Sequence, residues 1–239
     1  MLKLIAMFLM LIDHAALVFL PVTNPLYILC RLVGRLAMPI FAYKIASGFI
    51  YTSNLDKYIK RVGLMTLCAQ IPFIWMITGA TFQELFTLSF LTTLISHWNV
   101  GLTFVCALLI LKFYKELSEC IARYPSFNII YIALLGLVAF VADYGLYGVM
   151  MVMTFYMFIA YKLTYTKCTL LLALCTLLSY LSPLSLGQFD GFLLQLPCLF
   201  SLILIKIIPD SKFPLGRIIW YSFYPLHMLI LAFLSSLIF

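Results

Sequence analysis

Charge is what this sequence has least of. Only 10% of its 239 residues are charged, and acidic residues number eight. A soluble domain is typically ~45–50% apolar and ~25% charged. Here 65% of the residues are hydrophobic and the mean hydropathy is +1.14. So little polar surface cannot cover a water-facing globule, which excludes the soluble classes. Alternating strand-like segments of ~10 residues are also missing, which argues against a membrane β-barrel. The seven cysteines (Cys30, Cys68, Cys106, Cys120, Cys168, Cys175, Cys198) show no C-x-x-C spacing. They read as small hydrophobes, neither metal ligands nor disulfide partners. No Ala-x-Ala-like site follows the first apolar run, and that run carries Asp13 and His14 inside it. It is therefore expected to be a retained helix, not a signal peptide. There is no Pro/Gly/Ser linker, no low-complexity tract and no clear internal repeat. One multi-pass membrane domain is expected over residues 1–239.

What the chain does have is apolar runs, the longer ones roughly 17–23 residues, the length that crosses a hydrocarbon core as helix. Nine candidate spans result: Leu4–Leu20, Ile28–Ile50, Val62–Gly79, Val100–Phe113, Ile129–Val141, Leu146–Tyr161, Thr169–Tyr180, Phe192–Ile208 and Ile218–Ile238. The segment Ala80–Trp98 is broken by Gln83, Glu84 and a Ser/Thr-rich stretch. It reads as an outer loop with a re-entrant or interfacial piece. The expected fold is an all-α integral membrane protein, a bundle of about nine helices in the inner or plasma membrane.

The net charge of +7 follows the loops. Lys3, Lys57, Lys60, Arg61, Lys112, Lys115, Arg123, Lys162, Lys167, Lys206, Lys212 and Arg217 fall in one set of turns, twelve of the fifteen basic residues. The alternate turns, Pro21–Tyr27, Ala80–Trp98, Asp143–Gly145 and Ser182–Asp190, hold none. Positive-inside then puts the N-terminus in the cytoplasm and the C-terminus outside. Such a charge pattern points to a membrane partner, not to nucleic acid.

The three basic residues left over are Arg31, Arg35 and Lys44, all in the second span. A charge in the bilayer core costs at least ~2.5–3.5 kcal/mol and faces a partner or a water-filled cavity. Arg31 and Arg35 are four apart and share a helix face. Either they snorkel from the outer end, or they face a cavity. Pro39, one turn beyond Arg35, frees a carbonyl that neighbours or water must satisfy, and Gly34 permits close helix approach. Lys44 lies about half a turn off that face, in the inner half. It either snorkels to the cytoplasm or binds an anionic cofactor entering from there.

Depth can be compared between spans. At 1.5 Å per residue, His14 lies about 3 Å outward of the middle of the first span and Arg35 about 6 Å outward in the second. His227 falls near the middle of the last span, in "YSFYPLHML", with Tyr224 one turn before it and Pro225 as an expected kink site by its missing N–H. Asp143 closes the fifth span in "ADYGLYG". One bundle could bring Asp13 or Asp143, His14, Arg35, Tyr224 and His227 to one chamber in its outer half. An intramembrane histidine is either a helix–helix hydrogen-bonding group or a proton acceptor for an amine or hydroxyl nucleophile. His97, in "SHWNVGLT", reads as interfacial, and Asp190, in "GQFDGF", as a helix N-cap. Adjacent Asp13 and His14 point about 100° apart. Asp13 therefore reaches His14 through a shared water or bonds a second helix.

The blocks "KLIAMFLMLIDHAALVF", "RLVGRLAMPIFAYKIASGFIYTSNLDKYIKR", "NVGLT", "DYGLYGV" and "YSFYPLHMLIL" resemble the TraX family from end to end. That family, known for the F-pilin N-acetyltransferase, is similar to the acyltransferase-three type of membrane enzymes. The resemblance implies transfer of an acetyl or longer acyl group from cytoplasmic acyl-CoA to an amine or hydroxyl on the outer side. The acceptor would be a peptide or pilin N-terminus, or a cell-surface glycan. It also implies His14 as the general base or acyl-transfer histidine, with Asp13 as its support. Arg31 and Arg35 would stabilise the thioester oxyanion or hold the pantetheine–phosphate part, and His227 and Tyr224 would line the same chamber. Lys44 departs from the pattern, which has an apolar residue there. The residues fit this chemistry on their own: aminolysis of a thioester needs a base and an oxyanion donor, and no metal. The alternatives are a small-molecule or proton-coupled transporter, whose relays use the same residue types, and an assembly protein without chemistry.

Overall fold

The computed structural model describes residues 1–116, 125–185, 189–209 and 216–238. Cys120, Arg123 and Lys212 lie outside them, as do the side chains of Asp190 and Arg217. Twelve α-helices follow in order: α1 (Leu2–Phe19), α2 (Pro25–Gly34), α3 (Ala37–Tyr51), α4 (Leu55–Thr78), α5 (Leu88–Ser96), α6 (Val100–Glu116), α7 (Pro125–Phe140), α8 (Gly145–Ala160), α9 (Tyr165–Ser185), α10 (Phe189–Gln195), α11 (Ser201–Ile207) and α12 (Arg217–Ile238). Short 3-10 turns cover Glu84–Phe86 and Leu196–Phe200. No β-strand occurs among the described residues; Trp98 and Ala142 make a lone bridge.

Local chemistry sets the ends. The Asn24 side chain accepts from the Leu26 amide ahead of Pro25, and Asn54 accepts from the Lys57 amide, so α2 and α4 start on N-caps. Gly79, at φ 60°, stops α4 in the left-handed conformation a glycine takes without steric cost. The second expected span is two helices, not one. Its break falls at Arg35 and Leu36 because Pro39 offers no N–H to the Arg35 carbonyl and its ring crowds that carbonyl. The eighth expected span is likewise divided, at Pro197, into α10, a 3-10 turn and α11.

Four stretches are long and apolar enough to cross a membrane: α1, Pro25–Tyr51, α4 and α12. Shorter apolar helices cover Tyr131–Phe140, Gly145–Ala160, Tyr165–Leu181 and Gly191–Ile207. Ala6, Ala42, Ala46, Ala69 and Ala107 have no exposed surface, and such small residues let helix backbones approach closely. α12 packs on α4, α3 on α8, and α1 on α2, α3 and α12. Phe8, Leu64, Leu67, Leu137, Phe140, Leu170 and Phe233 face outward. Apolar faces this extensive exceed what a soluble monomer shows and fit contact with lipid.

Residues 80–98 hold a 3-10 turn and the nine-residue α5, too short to cross. The Thr81 amide donates to Glu84 Oε2 at 2.7 Å and its hydroxyl at 3.0 Å. These two bonds hold the exposed Glu84 carboxyl below its ordinary range. The segment ends on a buried polar knot. Asn99 Nδ2 donates to Thr66 O and Gln70 Oε1, while Gln70 Nε2 donates to the Leu94 and His97 carbonyls. The knot fixes where α5 hands the chain to α6, and with it the position of His97.

Candidate active site

α1 and α2 meet at Gly34. A Cβ there would overlap the Asp13 Cβ, Cγ and Oδ1, so only glycine lets these helices approach this closely. The approach lets Arg31 Nη1 donate to Asp13 Oδ2 at 2.6 Å, in an ion pair that is 13% exposed on both sides. Asp13 therefore bonds a second helix, and its partner is Arg31. Its other oxygen, Oδ1, is buried without a hydrogen-bond partner, as are the Nε groups of Arg31 and Arg35.

His14 points to a different helix. Its Nδ1 lies 2.8 Å from His227 Nε2, and the ring planes are 8° from parallel with centroids 5.0 Å apart, the near-coplanar arrangement of an in-plane N–H···N bond. His227 Nδ1 in turn lies 2.8 Å from the Phe223 carbonyl, one turn back in α12. These contacts fix the protons. A carbonyl only accepts, so His227 Nδ1 carries the hydrogen. With both rings neutral, His227 Nε2 is then the acceptor and His14 Nδ1 the donor. The lone pair of His14 is left on Nε2, which no group among the described residues engages.

Arg35 reaches across to the turn between α7 and α8. Its Nη1 donates to the Tyr144 hydroxyl at 2.8 Å. Tyr144 is a non-glycine residue at φ 64°, followed by Gly145 at φ 44°. A left-handed tyrosine stores backbone strain that surrounding contacts must hold. Those contacts are present: the Trp98 amide donates to Val141 O at 2.8 Å, the Asp143 amide to Trp98 O at 2.7 Å, and Thr103 Oγ1 to Asp143 O at 2.6 Å.

Two cavities adjoin these groups. A smaller one of about 230 Å³ is lined by Asp13, His14, Arg31, Arg35, His97, Asp143, Tyr144 and Tyr224. A larger one of about 730 Å³ lies toward the end of the bundle that carries Lys3, Lys44, Thr52 and Arg61. Met10, Phe41, Val100, Phe104 and Tyr224 border both and stand between them.

The structure thus gathers Asp13, His14, Arg31, Arg35 and Tyr224 around one chamber, and adds both Asp143 and His97. His97 is more than an interfacial loop residue: it stacks on Phe73 at 5.7 Å and lines the chamber. His227 lies behind His14 and lines neither cavity, so it touches the chamber only through its partner. Lys44 lines the larger cavity, apart from the two arginines. Tyr144 and Arg61 carry no site role in the sequence reading. The Tyr-Gly pair after Asp143 was a signal for a strained turn. Nothing in the sequence could say that its ring meets Arg35. Arg61 Nε is buried in the larger cavity's wall without a partner. Among the described residues no three His, Cys, Asp or Glu side chains gather as a metal site would. The six described cysteines are free.

An all-α bundle with lipid-facing helices, and a histidine–arginine chamber buried within it, defines a multi-pass membrane enzyme in class. The comparisons make the class specific. The family profile described as "TraX protein" matches residues 1–235, and the chain belongs to the TraX family. It is accordingly an acyl-CoA-dependent acyltransferase of the bacterial inner membrane, from a family that acts on pilin or peptide acceptors. A protein named probable fimbrial assembly protein FimC, serogroup H1, from Dichelobacter nodosus, is 28% identical over 238 residues, covering 97% of this chain and 93% of that one. No solved structure matches.

Proposed function

We propose that the chain transfers an acetyl group from cytoplasmic acetyl-CoA to the amine of a pilin or peptide on the outer side, with His14 as general base. The reading takes the chain as one membrane domain of nine crossings, N-terminus in the cytoplasm and C-terminus outside. The observation that carries it is the chain His14–His227–Phe223, which leaves the His14 Nε2 lone pair available beside two arginines.

Lys3, Lys44 and Arg61 would hold the donor's phosphates in the larger cavity. Arg61 Nε, buried and without a partner, is a donor in want of an acceptor. The thioester would reach the smaller cavity past Tyr224 and Phe104, which border both. Arg35, held by Tyr144, would neutralise charge developing on the thioester oxygen. His14 Nε2 takes a proton from the attacking nitrogen as the C–N bond forms and the C–S bond breaks. The same proton then passes to the departing sulfur, which leaves as the thiol. Arg31 and Asp13 neutralise each other and hold α2 against α1 beside the base. The name of the Dichelobacter nodosus relative refers to fimbrial assembly, which supports a pilus or fimbrial subunit as acceptor.

The test is acetyl transfer by the purified protein in vesicles, with acetyl-CoA as donor and mass spectrometry of the acceptor. His14→Ala is expected to abolish transfer while the protein still inserts and still binds acetyl-CoA. Normal turnover with alanine at position 14 overturns the mechanism.

A further inference from the structure

We infer that Asp143 is the positioning residue for the acceptor nitrogen, and that it makes the chamber select an amine over a hydroxyl. This rests on the acyltransferase reading above.

The Asp143 backbone is fastened at both polar groups. Its amide donates to Trp98 O and its carbonyl accepts from Thr103 Oγ1. The strained turn at Tyr144 follows directly. With the backbone held, the side chain lines the smaller cavity together with His14 and Arg35. Its Oδ1 accepts from the Tyr144 amide at 3.1 Å. Among the described residues it joins no ion pair, whereas Asp13 is paired with Arg31. Arg35 donates to the Tyr144 hydroxyl. It and Arg31 share the cavity with the Asp143 carboxylate and act on it through their charge, but no bond from either reaches it among the described residues.

A carboxylate that lines a cavity within an apolar bundle is costly unless something complements it. The chamber offers two kinds of group to a ligand. Arg35 and Arg31 only donate hydrogen bonds, and an ionised Asp143 only accepts them. A thioester carbonyl suits the arginines; an N–H suits Asp143. The geometry of attack divides the same way. A neutral primary amine carries two hydrogens: one bonds Asp143, and the other faces His14 and is the proton removed as the C–N bond forms. The amine arrives as an ammonium, attracted by the carboxylate, and attacks in its neutral form once its third proton has gone to bulk solvent. A hydroxyl has one hydrogen only. It cannot satisfy Asp143 and supply a proton to His14 at once.

The test uses the full chain in nanodiscs with n-butylammonium and butan-1-ol as probes. Calorimetry reads binding, and formation of N-butylacetamide from acetyl-CoA reads transfer. Wild type is expected to bind butylammonium and not butan-1-ol. Asp143→Asn keeps the shape and the bond to the Tyr144 amide but removes the charge. It is expected to weaken amine binding, and raise the amine KM, by about tenfold to a hundredfold, with the acetyl-CoA KM unchanged. Asp143→Glu should restore part of the loss. Equal amine affinity in wild type and Asp143→Asn overturns the inference, and so does equal binding of amine and alcohol by wild type. If Asp143→Asn loses amine binding while His14→Ala still forms the amide, the subsite stands and the catalytic role of His14 falls.

Discussion

Replacing His227 with leucine tests whether the second histidine sets the chemistry of the first. His227 lines neither cavity, so the change touches no substrate surface. What it removes is the acceptor 2.8 Å from His14 Nδ1. His14 then has two options. It keeps its proton on Nδ1 as an unpaired buried donor, at about 1–3 kcal/mol. Or the proton moves to Nε2, which removes the lone pair from the reactive nitrogen, and moving it back enters the barrier. In either case the imidazolium forming at His14 lacks the acceptor that would hold its charged Nδ1–H, and a transition-state loss of about 1–3 kcal/mol, at 1.36 kcal/mol per tenfold, slows transfer by about five- to 150-fold. Single-turnover acetyl transfer in vesicles reads the chemical step, and the acetyl-CoA KM is measured in parallel. The expected result is a lower kcat with the donor KM unchanged. His227→Gln, whose side-chain carbonyl can still accept, should retain more activity than His227→Leu. If leucine supports transfer within about twofold of wild type, or if glutamine and leucine are equally slow, the reasoning is refuted.

Gly34→Ala should force α1 and α2 apart, because the overlapping Asp13 Cβ is fixed to the α1 backbone and cannot rotate away. A loss of about 1–3 kcal/mol is expected, read as a lower unfolding midpoint in detergent; an unchanged midpoint would show the contact to be loose. Arg61→Gln should raise the acetyl-CoA KM at least about fivefold while leaving the rate at saturating donor nearly unchanged, since Arg61 sits far from His14 along the cavities. A fall in kcat without a change in KM would remove Arg61 from donor binding.

That the chain is all-helical, with several long apolar stretches, was legible because membrane insertion depends on local hydropathy, which sequence carries directly. Arg31, Arg35, Asp13 and His14 stood out for the same reason: each is expensive at its depth. Depth counting placed His14 and Arg35 at neighbouring levels, and the structure has both on one chamber. What counting along an axis omits is rotation about it. It could not choose between a water and a second helix for Asp13, nor bring His97 to the chamber, nor tell that His227 stands behind His14.

The helix breaks show the same division. Pro39 was visible as a cavity-forming residue, yet one hydropathy run covered both halves of Pro25–Tyr51. Hydropathy does not register a missing N–H; the carbonyl of Arg35 does.

The sequence by itself determined that the chain is helical and membrane-embedded, which charged residues stand inside its long apolar runs, and its membership in the TraX family. These are properties of composition and of short motifs, and need no knowledge of neighbours. Only the tertiary structure decided the partners. His14 and His227 are 213 residues apart, and Arg35 and Tyr144 are 109 apart. Hydrogen bonds at 2.8 Å depend on how each helix is turned against the next, and that angle is set by packing: by Gly34 under Asp13, by the knot at Asn99, and by the left-handed turn at Tyr144.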